Sequence, residues 1–410
     1  MVTKICLFVF LTTVSFMGTA QLLEFQSVRK LPSSVNSTGE ESLPLLSPDG
    51  SKLFFTRALY AANAGGKFSG LDVWFSEAGA GSWKNPSNNL PAGINDEGHN
   101  AIIGMSRDGN KRYFMSALPN EKMNGIYVTT RVNNYWTRSE FIPIPGIDNQ
   151  NFLGVYVSPD FDVILFSMKA NDSRGEEDIY FSVRNSANQW SIPRSVGATI
   201  NTRGFEISPF LSSDKKRLYF ASNGHGGEGD ADIFYSERLY NSWETWSLPV
   251  NLGKEINSKR FDAYFSIYGD SVAYFASNRD GKYADLFEAK VMRGKTVLSA
   301  GQRYLSRDEW NRYLGGTVTN ELIFTPQTTS LNASQKELLF YIANKLQLQK
   351  EILFHLIVRE EENNTLSRSR LKAITEHLEQ SGIGEGRIIT DQVEPTVKTR
   401  SGRVEIRLIE

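Results

Sequence analysis

The residues able to do acid–base or covalent chemistry are few in this chain, and they are scattered. It has four histidines, His99, His225, His355 and His377. His355 stands in an apolar run that reads as a strand, so a satisfied imidazole is expected there, not a catalytic one. The only cysteine, Cys6, lies in the first twenty residues. That excludes disulfides, zinc–thiolate sites and a cysteine nucleophile from the remainder. The last hundred residues hold no Gly-x-Ser-x-Gly elbow for a serine nucleophile. The stretch SNGHGGEGDADIF at 222–234 brings Glu228, Asp230 and Asp232 together, oxygen ligands of the kind calcium takes. Glycine-rich loops with one capping aspartate are ordinary, however, and the matching place upstream reads SRGEEDIYF. No pair of carboxylates has a context that suits general acid and base work.

Two residue types recur at fixed places instead. Asp72, Asp178, Asp232 and Asp285 each open an aromatic-rich segment such as DVWFS or DIYFS. Their recurrence points to holding loop amides, a role suited to short carboxylates. Trp83, Trp136, Trp190 and Trp246 follow on the next segment. Repeated aromatics of this kind are expected to pack between units, with a sugar-stacking ring as the alternative.

What positions these residues is a repeat. SPDGSKLFF at 47–55 returns as SRDGNKRYF at 106–114, SPDFDVILF at 158–166, SSDKKRLYF at 212–220 and, more weakly, SIYGDSVAYF at 266–275. The phrases end on Phe55, Phe114, Phe166, Phe220 and Phe275, at intervals of roughly 50–60 residues, the length of a multi-stranded blade. Aspartate–glycine pairs suit tight hairpins, and the flanking aromatic and β-branched residues suit strands. Each unit therefore reads as a four-stranded meander. The fifth lacks its tryptophan strand, while LPSSVNS near the start matches the last strand of a unit, such as LGKEINS. Asn36 precedes Ser47 at the interval by which Asn95 precedes Ser106 and Asn201 precedes Ser212. The N-terminal strand is thus expected to complete the last blade and close the ring, leaving no open edge.

This repeat resembles the TolB-type, WD-like propeller repeat over residues 22 to about 292, and the resemblance implies a protein-docking platform. The Ser-x-Asp-x-Gly-x-x-Trp box of sialidase-type propellers is not matched. A carbohydrate-active propeller enzyme would need carboxylates clustered at the central channel.

The chain is 410 residues long with a net charge of −1, so two or three domains are expected and a basic nucleic-acid footprint is not. Residues 1–20 carry Lys4, an apolar run and a small-residue end, the layout of a cleaved secretory leader. The run is shorter than the roughly 20 residues a spanning helix needs, and no other segment is apolar enough to span a membrane. Cys6 is misplaced for a lipid anchor, because Gln21 stands where a lipidated cysteine would have to be.

After residues 293–315, expected to be a linker with some order, the pattern alternates strand and helix from 316 to 410. SLNASQKELLFYIANKLQLQ and TLSRSRLKAITEHLEQSGI read as amphipathic helices, the second stopped by Gly382. The expected order is βαβαββ. The stretches LSRSRLKAITEHLEQSGIGEGRI at 366–388 and SGRVEIRL at 401–408 resemble the OmpA C-terminal, peptidoglycan-binding family. That resemblance implies wall binding, with Arg370 on the ligand arginine and Arg403 on the second arginine of the closing motif. An arginine fork suits the carboxylates of diaminopimelate. The family's Gly-His-Thr-Asp loop is absent. LIVREEENN stands at 356–364, and Glu360 or Glu361 is the candidate stand-in for its aspartate. Arg370 as a solvated helix-surface cation, pairing with Glu376 or a nearby acid, is the bland alternative.

The expected fold is mainly β with a C-terminal α+β domain: a five-bladed propeller over 21–292 and a βαβαββ, OmpA-C-like sandwich. The combination also resembles propeller-plus-OmpA proteins of type IX secretion and gliding machinery. The expected role is a non-enzymatic, periplasmic or outer-membrane-associated adaptor, without cofactor or metal. Its propeller would dock an envelope or secretion-machinery protein and its tail peptidoglycan. The alternative is a pure protein–protein scaffold whose tail no longer binds the wall.

Overall fold

The computed structural model describes residues 23–91, 93–117, 125–147, 152–269, 271–293, 302–359, 364–393 and 402–410. Residues 1–20, with Cys6, lie outside these, as do Glu360 and Glu361. The chain divides into two compact units, Phe25–Met292 and Arg293–Glu410.

The first unit is built of strands. β1 (Leu23–Lys30) comes first in the chain. Sheet I then holds β2 (Glu40–Leu46), β3 (Lys52–Ala58) and β4 (Asp72–Glu77). Sheet II holds β5 (His99–Met105), β6 (Lys111–Ala117), β7 (Gly125–Val132), β8 (Tyr135–Trp136) and β9 (Glu140–Ile142). Sheet III holds β10 (Phe152–Val157), β11 (Val163–Met168), β12 (Asp178–Val183) and β13 (Arg194–Ser195). Sheet IV holds β14 (Glu206–Leu211), β15 (Arg217–Ser222), β16 (Asp232–Glu237) and β17 (Val250–Asn251). Sheet V runs β18 (Asp262–Tyr268), β19 (Val272–Ser277) and β20 (Asp285–Arg293), and its outer strand is β1. The first strands of the five sheets touch in a closed circuit, β18 returning to β2. The arrangement is of propeller type.

The repeated phrase makes a hairpin through its own side chains. Ser47 Oγ donates to Asp49 (2.5 Å), Asp49 accepts from the Ser51 amide (3.0 Å), and Ser47 Oγ accepts from the Lys52 amide (2.9 Å). Ser106 with Asp108 and Ser212 with Asp214 repeat it. Sheet III varies it. Phe161 takes the left-handed conformation (φ 56), and Ser158 bonds Asp162 instead. The phrase's terminal phenylalanines are all buried. Each sheet presents one face to the sheet before and one to the sheet after, and apolar clusters fill the gaps between I and II, II and III, III and IV, and V and I.

Asparagine is the second repeated device. The side-chain amide of Asn201 accepts from the Ile179 amide (2.9 Å) and donates to the Ile179 carbonyl (3.0 Å), imitating a strand partner. Asn95 does the same for Val73 and Asn257 for Ile233. Asn36 grips Leu286, 250 residues away, in the same manner. That latch and the β1–β20 pairing join the start of the unit to its end.

The second unit orders as α1 (Arg307–Leu314), β21 (Glu321–Ile323), α2 (Ala333–Leu346), β22 (Leu353–Arg359), α3 (Asn364–Gln380), β23 (Ile388–Val393) and β24 (Arg403–Ile409). From β21 onward the order is βαβαββ, in a sheet running β21-β24-β22-β23 whose only parallel pair among the described residues is β22 with β23. One core gathers Leu339, Ile342, Ile374, Leu378, Leu356 and Ile406 between helices and sheet. The 293–315 stretch is more than a linker. Ser306 and Glu309 form a capping box, Gly315 ends α1 at φ 74, and Trp310 and Leu314 belong to that core. The cap of α2 is Asn332, in a capping box with Gln335.

Candidate functional site

Helix α3 buries Ser367, Arg370, Leu371, Ile374 and Leu378, a face at helical spacing. Arg370 is therefore turned inward and is only 1% exposed. It is not the solvated surface cation of the bland reading, and Glu376 lies near Lys372 instead (3.7 Å). Arg370 Nε donates to the Thr328 carbonyl (2.8 Å) and Nη2 to that of Thr325 (3.4 Å), over the Phe324 ring at 5.2 Å. The β21–α2 loop thus orients the guanidinium, using one edge of its fork. Gly402 closes the other side. The Phe324 amide donates to its carbonyl (2.7 Å). At φ 89, a Cβ on Gly402 would stand 2.8 Å from the Phe324 carbonyl oxygen and 3.7 Å from Arg370 Nη1.

Arg403 follows directly, but strand alternation sends it to the opposite face from the buried Val404. There its Nη1 pairs with Glu321 (3.1 Å). The two arginines singled out in the sequence thus lie on different faces of one sheet. Glu360 and Glu361 fall outside the described residues. Phe324 and the Thr325–Thr328 loop, which hold Arg370, carry no sequence signal beyond a proline and small polar residues.

The face opposite the helices carries a buried relay. His355 Nε2 lies 2.9 Å from Asp391 Oδ2, and the Tyr304 hydroxyl is hydrogen-bonded to Nδ1 (2.8 Å). Arg407 covers the Tyr304 ring at 5.1 Å and pairs with Glu405. Burial, above all, raises the Tyr304 phenol. His355 is thus a satisfied imidazole tying β22, β23 and the segment before α1 together.

In the first unit the inner strands converge on the axis. Each carries a register shift. Leu43, Ser208 and Tyr264 accommodate theirs at positive φ. The shifts turn apolar residues inward, and the axial cavity measures about 40 Å3, lined by Pro44, Ile103, Val155, Tyr156, Pro209 and Phe265 among others. No carboxylate lines it. Such a space takes a few waters.

The recurring aspartates act largely as loop holders. Asp72 accepts from the Ala64 amide (2.8 Å), Asp178 from Arg174 (2.9 Å), and Asp232 from Glu228 and Gly229. Asp285 pairs with Lys30 of the closing strand instead (2.6 Å). Among the described residues no group of three His, Cys, Asp or Glu side chains is arranged to hold a metal, and Asp232 of the glycine-rich stretch is engaged by its own loop. Of the tryptophans, Trp190 and Trp246 are buried between sheets and Trp83 lies against the V–I cluster. Trp136 differs, lying half-buried under Arg112.

Beside the inner strands sit buried acids, each at the end of an asparagine-led loop. Glu41 pairs with Arg57 (3.0 Å), Asp262 with Arg279 (2.9 Å), and Glu206 has His225 at 3.9 Å. Burial dominates and raises the Glu41 and Glu206 carboxyls.

No family model matches the chain, and no curated protein does either. Among solved structures, TolB from Acinetobacter baumannii is similar at 13% identity and a TM-score of 0.35, covering 64% of this chain and 57% of that one. An endo-arabinase from Bacteroides thetaiotaomicron is similar at 11% identity and a TM-score of 0.44, covering 66% and 99%. The OmpA-like domain of FopA1 from Francisella tularensis is similar at 14% identity and a TM-score of 0.19, covering 35% and 77%. The present chain thus spans little more than half of the TolB structure's length. At these scores the fold stands on the geometry of the chain itself.

Proposed function

We propose that this protein is a non-enzymatic adaptor of the bacterial cell envelope. In this reading the five sheets are the blades of a TolB-like propeller that docks an envelope or secretion-machinery protein. The C-terminal unit is an OmpA-C-like module that associates with peptidoglycan, and residues 1–20 are the leader that exports the chain to the periplasm. The observation that carries the wall-binding part is Arg370, a costly side chain to bury, held at 1% exposure and aimed by the Thr325 and Thr328 carbonyls. Fixed rotamers of this kind are what a recognition arginine needs. The apolar axial cavity favours a docking role for the ring over hydrolysis, because glycoside hydrolysis works through two carboxylates flanking the scissile bond.

A second reading is a pure scaffold whose C-terminal unit binds no wall. It is favoured by the Arg370 edge already engaged by carbonyls and by the missing Gly-His-Thr-Asp loop.

The test is co-sedimentation of residues 21–410 with purified sacculi, beside Arg370→Lys and Arg403→Ala. Binding that Arg370→Lys abolishes, with the far-UV spectrum kept, supports the wall anchor. No binding by the unaltered protein overturns it and leaves the scaffold.

A further inference from the structure

Sheet II breaks the repeat at one place. Two residues before the buried phenylalanine, the other sheets carry Leu53, Ile164, Leu218 and Ala273, all fully buried. Sheet II carries Arg112. On β6 this residue shares a face with Phe114, which packs toward sheet I. Its guanidinium carbon lies 3.9 Å from the Trp136 ring centroid and 5.0 Å from that of Phe54. Arg131 on β7 reaches the same Trp136 ring at 6.0 Å and gives its hydrogen bonds to Asn110. Among the described residues neither arginine has an ion-pair partner, whereas Arg57, Arg217 and Arg279 of other sheets do.

Two cations placed side by side without an acid are costly. Burial, and then the charge of Arg131, hold Arg112 down to about 10. Arg138, beyond β8, is exposed, and Lys111 is exposed on the other face of β6. Of the nearby acids, Asp108 is held by its own turn and Glu140 stands on β9. The β7–β8 hairpin turns through Asn133 and Asn134, both at positive φ, and puts Val132 and the 80% exposed Tyr135 into solvent on the face opposite Arg131 and Trp136. Arginine and tyrosine or tryptophan on a rigid strand pair are the composition of interface hot spots.

We propose that this edge of sheet II docks an acidic segment of a protein partner. A carboxylate seats across Arg112 and Arg131 beside Trp136, on the one face of the β6–β7–β8 ribbon that the three share. The inference rests on the docking role proposed above and names the surface and the partner's chemistry.

The test titrates residues 21–410 with a fluorescein-labelled peptide of alternating glutamate and phenylalanine, read by anisotropy, beside the same peptide with glutamine. The glutamate peptide is expected to bind, and more weakly as salt rises. Arg112→Leu restores the aliphatic residue of the other sheets, so it should fold, and it is expected to weaken binding about tenfold, roughly the effect of one charge-assisted contact. Arg194→Ala removes an exposed arginine already paired with Glu244 and should leave binding unchanged. Equal binding of both peptides, no binding of either, or an unaltered Arg112→Leu overturns the proposal. Preferential, Arg112-dependent binding of phosphatidylglycerol vesicles overturns it in favour of a lipid surface. Sacculus binding by the same proteins separates the readings. Its loss with peptide binding kept sinks the wall anchor alone, and the reverse sinks this patch alone.

Discussion

The ring and the C-terminal unit hold their polar side chains in opposite ways. The ring spends one device many times. The asparagine latch recurs at Asn36, Asn95, Asn201 and Asn257, the serine–aspartate hairpin at Ser47, Ser106 and Ser212, and the buried acid at Glu41, Glu206 and Asp262. The C-terminal unit uses single copies: Arg370 in its carbonyl cradle and His355 between Tyr304 and Asp391. A repeated device reports on folding, because every sheet must meet its neighbour. A single-copy device that buries a charge is where a specific role is worth seeking.

The contrast is broken most severely through the ring's packing. Phe220→Ala empties a fully buried site in sheet IV and should cost about 3–5 kcal/mol. Urea unfolding should show this loss in the ring, with hydrogen exchange in α2 and α3 unchanged. Exchange that rises equally in both units would mean that they do not unfold separately.

Next comes the single-copy arginine. Arg370→Ala leaves the Thr325 and Thr328 carbonyls without their charged donor and should cost about 2–3 kcal/mol. The change should appear in α3 and the 325–328 loop and spare the ring. Wild-type stability of this variant would mean that the cradle is not what holds α3.

The latch is smaller. Asn201→Ala removes two hydrogen bonds to Ile179 and should cost about 1–2 kcal/mol. Asn36→Ala removes the same bonds at the seam. It should raise amide exchange along β1 and β20 more than elsewhere, which distinguishes closure of the ring from an ordinary loop bond.

The smallest effects are in pH. The hairpin bonds hold Asp49 at about 2 against its usual 3.8. A depressed carboxyl stabilises the fold above 3.8, and the contribution is lost as pH falls toward 2. Glu206 has the opposite sign. Burial raises it above 4.5, so the folded state binds more protons than the unfolded one, and stability falls as pH rises from 4.5 through the raised value. Urea midpoints across this range should show Asp49→Asn flattening the acid limb and Glu206→Gln the upper one. Parallel curves for either variant and wild type would remove that group from the account.

Much of this was legible along the chain because the repeat states its own period. Five hairpin phrases announced five sheets, and the spacing of Asn36 from Ser47 announced that the first strand belongs with the last sheet. The alternation in VEIRLI and the helical spacing of Leu339, Ile342 and Leu346 were equally plain. α1 is faint in the sequence although Ser306 and Glu309 spell a capping box, since its eight residues leave little periodicity. The inward turn of Arg370 was also legible in part, as it lies three residues after Ser367 and four before Ile374.

Local order, strand pattern and turn chemistry are properties of neighbouring residues and can be read along the chain. Whatever needs distant residues to meet follows from the folded arrangement. It set the apolar seal on the axis, where each of the five inner strands shifts register. It put Arg370 under the Thr325–Thr328 loop and sent Arg403 to the other face. It also brought Arg112 over Trp136, because a ring's energy depends on which side chain the next strand offers, and no stretch of one strand records that.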